Sequence, residues 1–370
     1  MSRILILGAY GNFGVRISWA LAKKNIPLFL GGRDQIKLEN LSKKLTAISL
    51  SPIDTIKIDT NINIQQALAQ TNPDVVINTC GPFQGNDYSV AKACIEKKVN
   101  YIDLADGREF VIDVKTLDAM AKQNHVAIIS GASTVPALSS AIIEKFSYHF
   151  SKIESMRYGI TPGQLTPRGL ATTKAVLSYV GQQIKYPSMT KSCYGWQDLY
   201  CQTYPFLGKR WMANCDIPDL GLFPEYYRIP SVRFSAGFEN PILHIGLWFL
   251  SWLIRVGTPI KLQKYAKILL KISNWFDCFG TDNGGMHVVL RGKDIYGMPI
   301  ELTWYLIAKE GDGPHIPTVP AIILAEKFFN KKLTIEGAYP CVGLVSYDEY
   351  FAELAEYHIT TKMEITNLSL

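Results

Sequence analysis

Through residues 1–135, short apolar runs alternate with stretches in which apolar residues recur every three or four positions. Arg3 to Leu7 reads as a buried strand, and Gly8-Ala9-Tyr10-Gly11-Asn12-Phe13-Gly14 turns the chain into a helix over Val15 to Lys24. A second strand, Pro27 to Leu30, ends in Gly31-Gly32-Arg33, and Asp34 is suited to cap a helix running to Leu45. Further strands are predicted at Ile56–Ile58, Asp74–Asn78, Tyr101–Leu104 and Val126–Ile129, with helices at Ile64–Gln70, Tyr88–Lys97 and Phe110–Lys122 between them. Strands that are apolar almost throughout are buried on both faces, which places them in a parallel sheet covered by helices. Right-handed crossovers make this an α/β fold with a Rossmann-type doubly wound sheet.

From Lys152 the pattern changes. Lys152–Ile160, Val232–Ala236, Met286–Arg291 and Ile300–Ala308 read as strands, Gly169–Tyr179 as a helix, and Ile242–Val256 and Pro259–Trp275 as two long helices. These elements predict a second, α+β domain built on an antiparallel sheet. Gln182 to Tyr227 is aromatic and without regular period, which suits the wall of an apolar pocket or a dimer arm. The expected organisation is a dinucleotide-binding domain at 1–135, a substrate or dimerisation domain at 136–315, and a C-terminal segment at 316–370 packing back on the first domain.

With 370 residues, 48% of them apolar and only 19% charged, the chain has ample material for a core, and a disordered polymer is excluded. A net charge of +6 fits an anionic cofactor or lipid headgroups but falls well short of a nucleic-acid-binding protein. Seven cysteines with no CxxC pair and no repeated spacing point to free thiols in a reducing, cytoplasmic setting. Pro241 to Gly257 is at the short limit for a membrane span and reads as a buried, interface or membrane-surface helix; lysines at 261, 264, 267 and 271 set a basic stripe beside it. Peripheral membrane contact through 241–271 and a homodimer are therefore both expected.

The candidate chemistry begins at Gly8-x-x-Gly11-x-x-Gly14. Between a first strand and a first helix, these glycines allow a tight turn, approach of a pyrophosphate to the backbone, and close helix packing; Tyr10, Asn12 and Phe13 lie within the same turn. At the end of the second strand an NAD site would usually carry an acid, whereas Arg33 can pair with a 2′-phosphate, so NADP(H) is expected over NAD(H). Asp59 borders the adenine or merely caps a helix. Thr79, Cys80, Gly81 and Pro82 leave the fourth strand where the nicotinamide ribose would lie. Asp103 orients substrate or a catalytic water, or else makes loop hydrogen bonds. His287 and His315 are weak candidates for a proton donor against purely structural roles. Asp282, Glu301 and Asp312 are similar candidates. No HExxH or comparable pair is found, so no metal is expected.

Together these pieces resemble the saccharopine dehydrogenase-like oxidoreductase family. The resemblance rests on Gly8–Gly14, Gly31-Gly32-Arg33, Asn78-Thr79-Cys80-Gly81-Pro82-Phe83, Tyr101-Ile102-Asp103-Leu104 and Gly131-Ala132-Ser133-Thr134-Val135-Pro136, and covers about the first 140 residues. Weaker likeness at Arg210–Pro224, Asp282–Gly285 and Gly311–Pro314 points to a branch apart from true saccharopine-forming members. The resemblance implies a nicotinamide cofactor and a second domain inserted before a C-terminal return to the first. No basic cluster suited to a dicarboxylate amino acid is found, so the saccharopine reaction is not carried over with the fold. The expectation is an NADP(H)-dependent oxidoreductase acting on a small, hydrophobic molecule. Its alternatives are a non-catalytic dinucleotide-binding scaffold at a membrane or partner protein, and a saccharopine-type amino-acid imine reductase.

Overall fold

The computed structural model describes residues 3–81, 83, 87–185 and 192–368. The strands in chain order are β1 (Ile4–Leu7), β2 (Leu28–Gly32), β3 (Ile53–Lys57), β4 (Val75–Asn78), β5 (Asn100–Asp103), β6 (Ala127–Ser130), β7 (Lys152–Thr161) and β8 (Gln183–Ile184). They continue with β9 (Cys193–Tyr194), β10 (Tyr200–Tyr204), β11 (Gly208–Asn214), β12 (Ser231–Ala236), β13 (Gly284–Lys293), β14 (Pro299–Ala308), β15 (Gly337–Pro340) and β16 (Ile359–Asn367). The chain forms two units, Met1–Ala141 with His315–Leu354, and Ile142–Pro314 with Ala355–Leu370.

The first unit holds a sheet in the order β15-β6-β5-β4-β1-β2-β3, parallel throughout. Side chains on both faces of β1 and β4 are buried, which is why β1 reads as an unbroken apolar run and β4 as one ended only by Asn78. One side packs through Leu5, Leu7, Val76, Tyr101 and Ile128 against Leu68, Cys94 and Leu117 from the covering helices. Lys24, at the end of the first helix, bonds both Glu326 (2.6 Å) and Glu353 (2.7 Å), tying the returning segment to the N-terminal one. At the sheet edge, Asp118 accepts the Ala338 amide at 3.0 Å and so anchors β15.

The second unit carries a sheet in the order β10-β11-β12-β7-β13-β14-β16. It is mixed where an antiparallel sheet was expected: β12 and β7 run parallel, with Ser231 opposite Ser155 and Ala236 opposite Ile160. A parallel pair needs a long crossover, and the segment between them is long enough to include a helix and the β10–β11 hairpin. Two further differences concern residues 136–370. The segment 355–370 does not return to the first unit; β16 pairs with β14 from Ile300↔Asn367 to Ala308↔Ile359. The stretch read as aperiodic contains β10 and β11, paired from Tyr200↔Met212 to Tyr204↔Gly208. Helices Leu170–Ser178, Pro241–Arg255 and Ala266–Asn274 pack through Leu177, Leu247 and Ala266 into one cluster around Trp196 and Ala213.

Candidate functional site

Helix α1 spans Asn12–Lys23, beginning three residues before the expected Val15, so Asn12, Phe13 and Gly14 form its first turn. Their amides have no acceptor inside the helix, and Gly11 at the cap position has no side chain to supply one. Gly8 turns the chain out of β1 with φ +77°, a conformation costly for any residue with a Cβ. A Cβ there would also stand 2.7 Å from Thr79 Oγ1. Gly14 brings α1 down on this turn so closely that an added Cβ would lie 2.2 Å from the Gly8 carbonyl oxygen. The Gly8 and Ala9 amides donate to the Gly31 carbonyl at 2.9 and 3.1 Å, and Gly11 to Gly8 at 2.8 Å. The turn is thus fixed by its own backbone, leaving the first amides of α1 facing its open end.

Tyr10 does not simply line this turn. Its ring packs on Gly32, where a Cβ would meet Tyr10 Cε1 at 2.5 Å, and its hydroxyl accepts the amides of Arg33 and Asp34, each at 3.2 Å. The first glycine turn therefore positions the end of β2. Arg33 is exposed at that end. Asp34, the acid nearest the position where NAD recognition would need one, caps helix α2 (Gln35–Thr46) by accepting the Lys37 amide at 3.2 Å. That bond holds its carboxyl below the ordinary carboxylate range. Lys37 Nζ lies 3.4 Å from Asp34 and 5.6 Å from the Tyr10 ring centroid, a second cation one helical turn beyond Arg33. Sequence reasoning overlooked Lys37, although its four-residue spacing from Arg33 on a helix start was visible. The Tyr10 contact left no such signal, because it joins residues 23 positions apart.

Asp59 follows β3 and organises a turn, its Oδ1 accepting the Asn61 amide at 3.1 Å and its carbonyl the amides of Ile62 and Asn63. After β4, Thr79 Oγ1 donates to the Leu7 carbonyl at 2.8 Å, and the Cys80 amide donates to Asn78 Oδ1 at 3.0 Å. Burial pushes the Cys80 thiol up to about 11, while Arg33 acts the opposite way and Asp59 adds to the rise. Those two charges, from the ends of β2 and β3, therefore bear on the residue leaving β4. Cys80 is a protonated thiol at neutral pH, unsuited to nucleophilic attack. The Gly81 amide bonds to the Thr79 carbonyl at 3.1 Å. Pro82 lies outside the described residues. Gly8, Tyr10, Gly11, Asn12, Phe13, Gly14, Arg33, Asp59, Thr79, Cys80 and Gly81 all belong to the carboxyl edge of β1 to β4, where ligands of open parallel sheets bind.

Asp103 ends β5 but is fully buried. Its Oδ1 accepts from the Ala105 amide, the Gly131 amide and Ser130 Oγ, each at 2.9 Å, so it stitches β5 to the turn after β6. His287 sits in the sheet of the second unit with no exposed surface, its Nδ1 2.7 Å from the Tyr204 hydroxyl and its Nε2 3.2 Å from that of Tyr200. Burial pushes its imidazole down to about 3, with the Arg157 charge adding to the effect, so the ring is neutral and serves as a core hydrogen-bonding hub. His315 is half-buried in a short 3₁₀ turn, Gly313–Thr318, and its carbonyl accepts Thr318 Oγ1 at 2.7 Å. Asp312 accepts the His358 amide at 2.8 Å, and Glu301 pairs with Arg291 across β13 and β14. Asp282 lies on the loop before β13. Among the described residues no three His, Cys, Asp or Glu side chains are grouped to hold a metal ion.

The parallel sheet, the glycine turn running into an uncapped helix, and the cationic end of β2 define a Rossmann-type dinucleotide-binding fold. Residues 4–135 match the saccharopine dehydrogenase NADP binding domain family, family-level evidence for the fold of NADP(H)-binding oxidoreductases in this part of the chain. No curated protein matches the chain by sequence. Among solved structures, apo histidine-tagged saccharopine dehydrogenase (L-Glu forming) from Saccharomyces cerevisiae is similar over 99% of this chain and 100% of its own, with a TM-score of 0.67 and 14% identity. That likeness extends the shared fold beyond the first unit. A short-chain dehydrogenase from Sphingobium yanoikuyae in complex with NADPH is similar over 35% of this chain and 71% of its own, with a TM-score of 0.28 and 13% identity.

Proposed function

We propose that the protein is an NADP(H)-dependent oxidoreductase that moves hydride to or from a small hydrophobic substrate. The observation that carries this reading is the Tyr10 bridge: one side chain of the glycine turn fixes the backbone that presents Arg33. The uncapped amides of Asn12, Phe13 and Gly14 would hold the pyrophosphate, with the positive end of the α1 dipole behind them. Arg33, with Lys37 nearby, would take the 2′-phosphate, while Asp34 stays engaged as a helix cap. Asp59 would border the adenine. Thr79, Cys80, Gly81 and Pro82 would line the nicotinamide ribose. When bound, the coenzyme supplies the hydride chemistry. The aromatic, apolar composition of residues 182–227 supports a hydrophobic substrate over a charged amino acid.

The test is titration of the purified protein with NADPH and NADH. Arg33→Asp is expected to weaken NADPH binding roughly tenfold to a hundredfold, as loss of a charge-assisted contact does, with little change for NADH. Equal losses for both coenzymes would remove phosphate recognition from the account. A second reading, a dinucleotide-binding scaffold without turnover, is favoured by the protonated Cys80 thiol and by Asp103's three internal hydrogen bonds. It predicts NADPH binding with no oxidation of NADPH in the presence of cell-extract metabolites.

A further inference from the structure

The helix Pro241–Arg255 buries His244, Leu247 and Ser251, and its opposite side carries a second apolar stripe. Ile242, Ile245, Phe249, Trp252 and Val256 follow one another at spacings of three and four, and all are exposed, Phe249 to 59% and Val256 to 75%. An amphipathic helix at a protein surface turns polar residues outward; this one turns out large hydrophobics. The helix Ala266–Asn274 buries Ala266 and exposes Lys267, Ile268 and Lys271, with Lys264 just before it and Trp275, 67% exposed, just after. At three- and four-residue spacing these fall on one side, so three lysines share a face with an isoleucine and a tryptophan. Both helices pack inward on the same cluster, through Leu247 and Ala266, and Leu262 of the 3₁₀ turn between them joins it.

Charge identifies the occupant. Between Glu239 and Asp277 the sequence holds five basic side chains, Arg255, Lys261, Lys264, Lys267 and Lys271, and no acidic one. The two bordering acids are spent, Glu239 on Arg210 and Asp277 on Arg168. A second copy of the chain meeting this face across a two-fold axis would set lysines against lysines. Among the described residues no helix is long and apolar enough to cross a membrane. Protruding aliphatic and aromatic side chains flanked by lysines, without acids, match the requirements of a helix pair lying in the headgroup layer of an anionic bilayer.

We propose that residues 241–275 of the second unit form a docking surface for an anionic lipid bilayer, the apolar stripe entering the headgroup layer and the lysines pairing with acidic lipids. This inference is independent of the coenzyme reading, since NADPH titration tests the first unit alone. Its test is flotation of the full-length protein with vesicles of phosphatidylcholine, with and without phosphatidylserine. Binding is expected only with phosphatidylserine, and it should fall as salt is added. Replacing Lys261, Lys264, Lys267 and Lys271 with Glu is expected to weaken binding by at least about a hundredfold. The exposed pair Phe249→Ser with Trp252→Ser should also release the protein while leaving its circular dichroism unchanged. Absence of flotation would overturn the proposal, as would equal binding to both vesicle types. Self-association lost in the Phe249/Trp252 variant, without lipid binding, would assign the face to a second copy instead. The salt titration of the unaltered protein decides the matter even if the charge-reversed variant does not fold.

Discussion

At the carboxyl end of β5, Asp103 is an acid enclosed by protein. Burial raises its carboxyl to about 6 from 3.8, outweighing the hydrogen bonds from Gly131, Ala105 and Ser130 that act in the opposite direction. A proton held more tightly by the native state than by the unfolded chain favours folding at low pH. Its contribution is full below 3.8 and is lost as pH rises to about 6, a difference worth about 3 kcal/mol. Asp103→Asn keeps an Oδ1 acceptor and cannot ionise. Melting temperature measured against pH should therefore fall less across that window in the variant than in the unaltered protein, and parallel curves would count against the assignment. Tyr10→Phe probes a different residue-scale link. It removes the acceptor for the Arg33 and Asp34 amides and should cost about 1–3 kcal/mol shared between folding and NADPH binding, as measured by denaturation and coenzyme titration.

For the elements, legibility in the sequence followed burial. β1 and β4 announced themselves because both faces are covered and every position but Asn78, at the end of β4, is apolar. β16 did the opposite: past its first residue, every side chain from Thr360 to Asn367 is exposed, and only its pairing with β14 makes it a strand. β10 alternates too weakly to separate from the aromatic stretch around it. β15 is four residues long, with a glycine and a proline at its ends. The glycine turn was legible in the same way as β1, through residue types that the geometry demands. Gly14→Ala tests it: a methyl 2.2 Å from the Gly8 carbonyl must push α1 away from the turn. A loss of about 1–3 kcal/mol in stability is expected, together with weaker binding of NADPH and NADH alike, unlike the selective effect at Arg33. Unchanged coenzyme affinity in that variant would detach the turn from the site.

The whole molecule is threaded so that neither unit is a continuous stretch of chain. The first takes its seventh strand, β15, from residues 337–340, and the second takes β16 from residues 359–367. Hydrophobic pattern alone could announce a return to the first unit through the apolar helix Val319–Phe329, but not the second exit after Leu354, since the exposed side chains of β16 carry no mark of their destination. Truncation after Leu354 leaves the first unit's strands intact and strips the outer neighbour from β14. Denaturation of that variant should show the second unit melting earlier, with NADPH titration unchanged. Loss of both together would mean that the units do not unfold separately.

Such threading sets a timetable for synthesis. As the polypeptide leaves the ribosome, the first unit has six strands in hand early but waits for β15, and the second stays incomplete until β16 emerges. Proteolysis of chains that end before β15 should therefore spare neither unit, whereas chains that end between Leu354 and β16 should keep the first unit protected and lose the second.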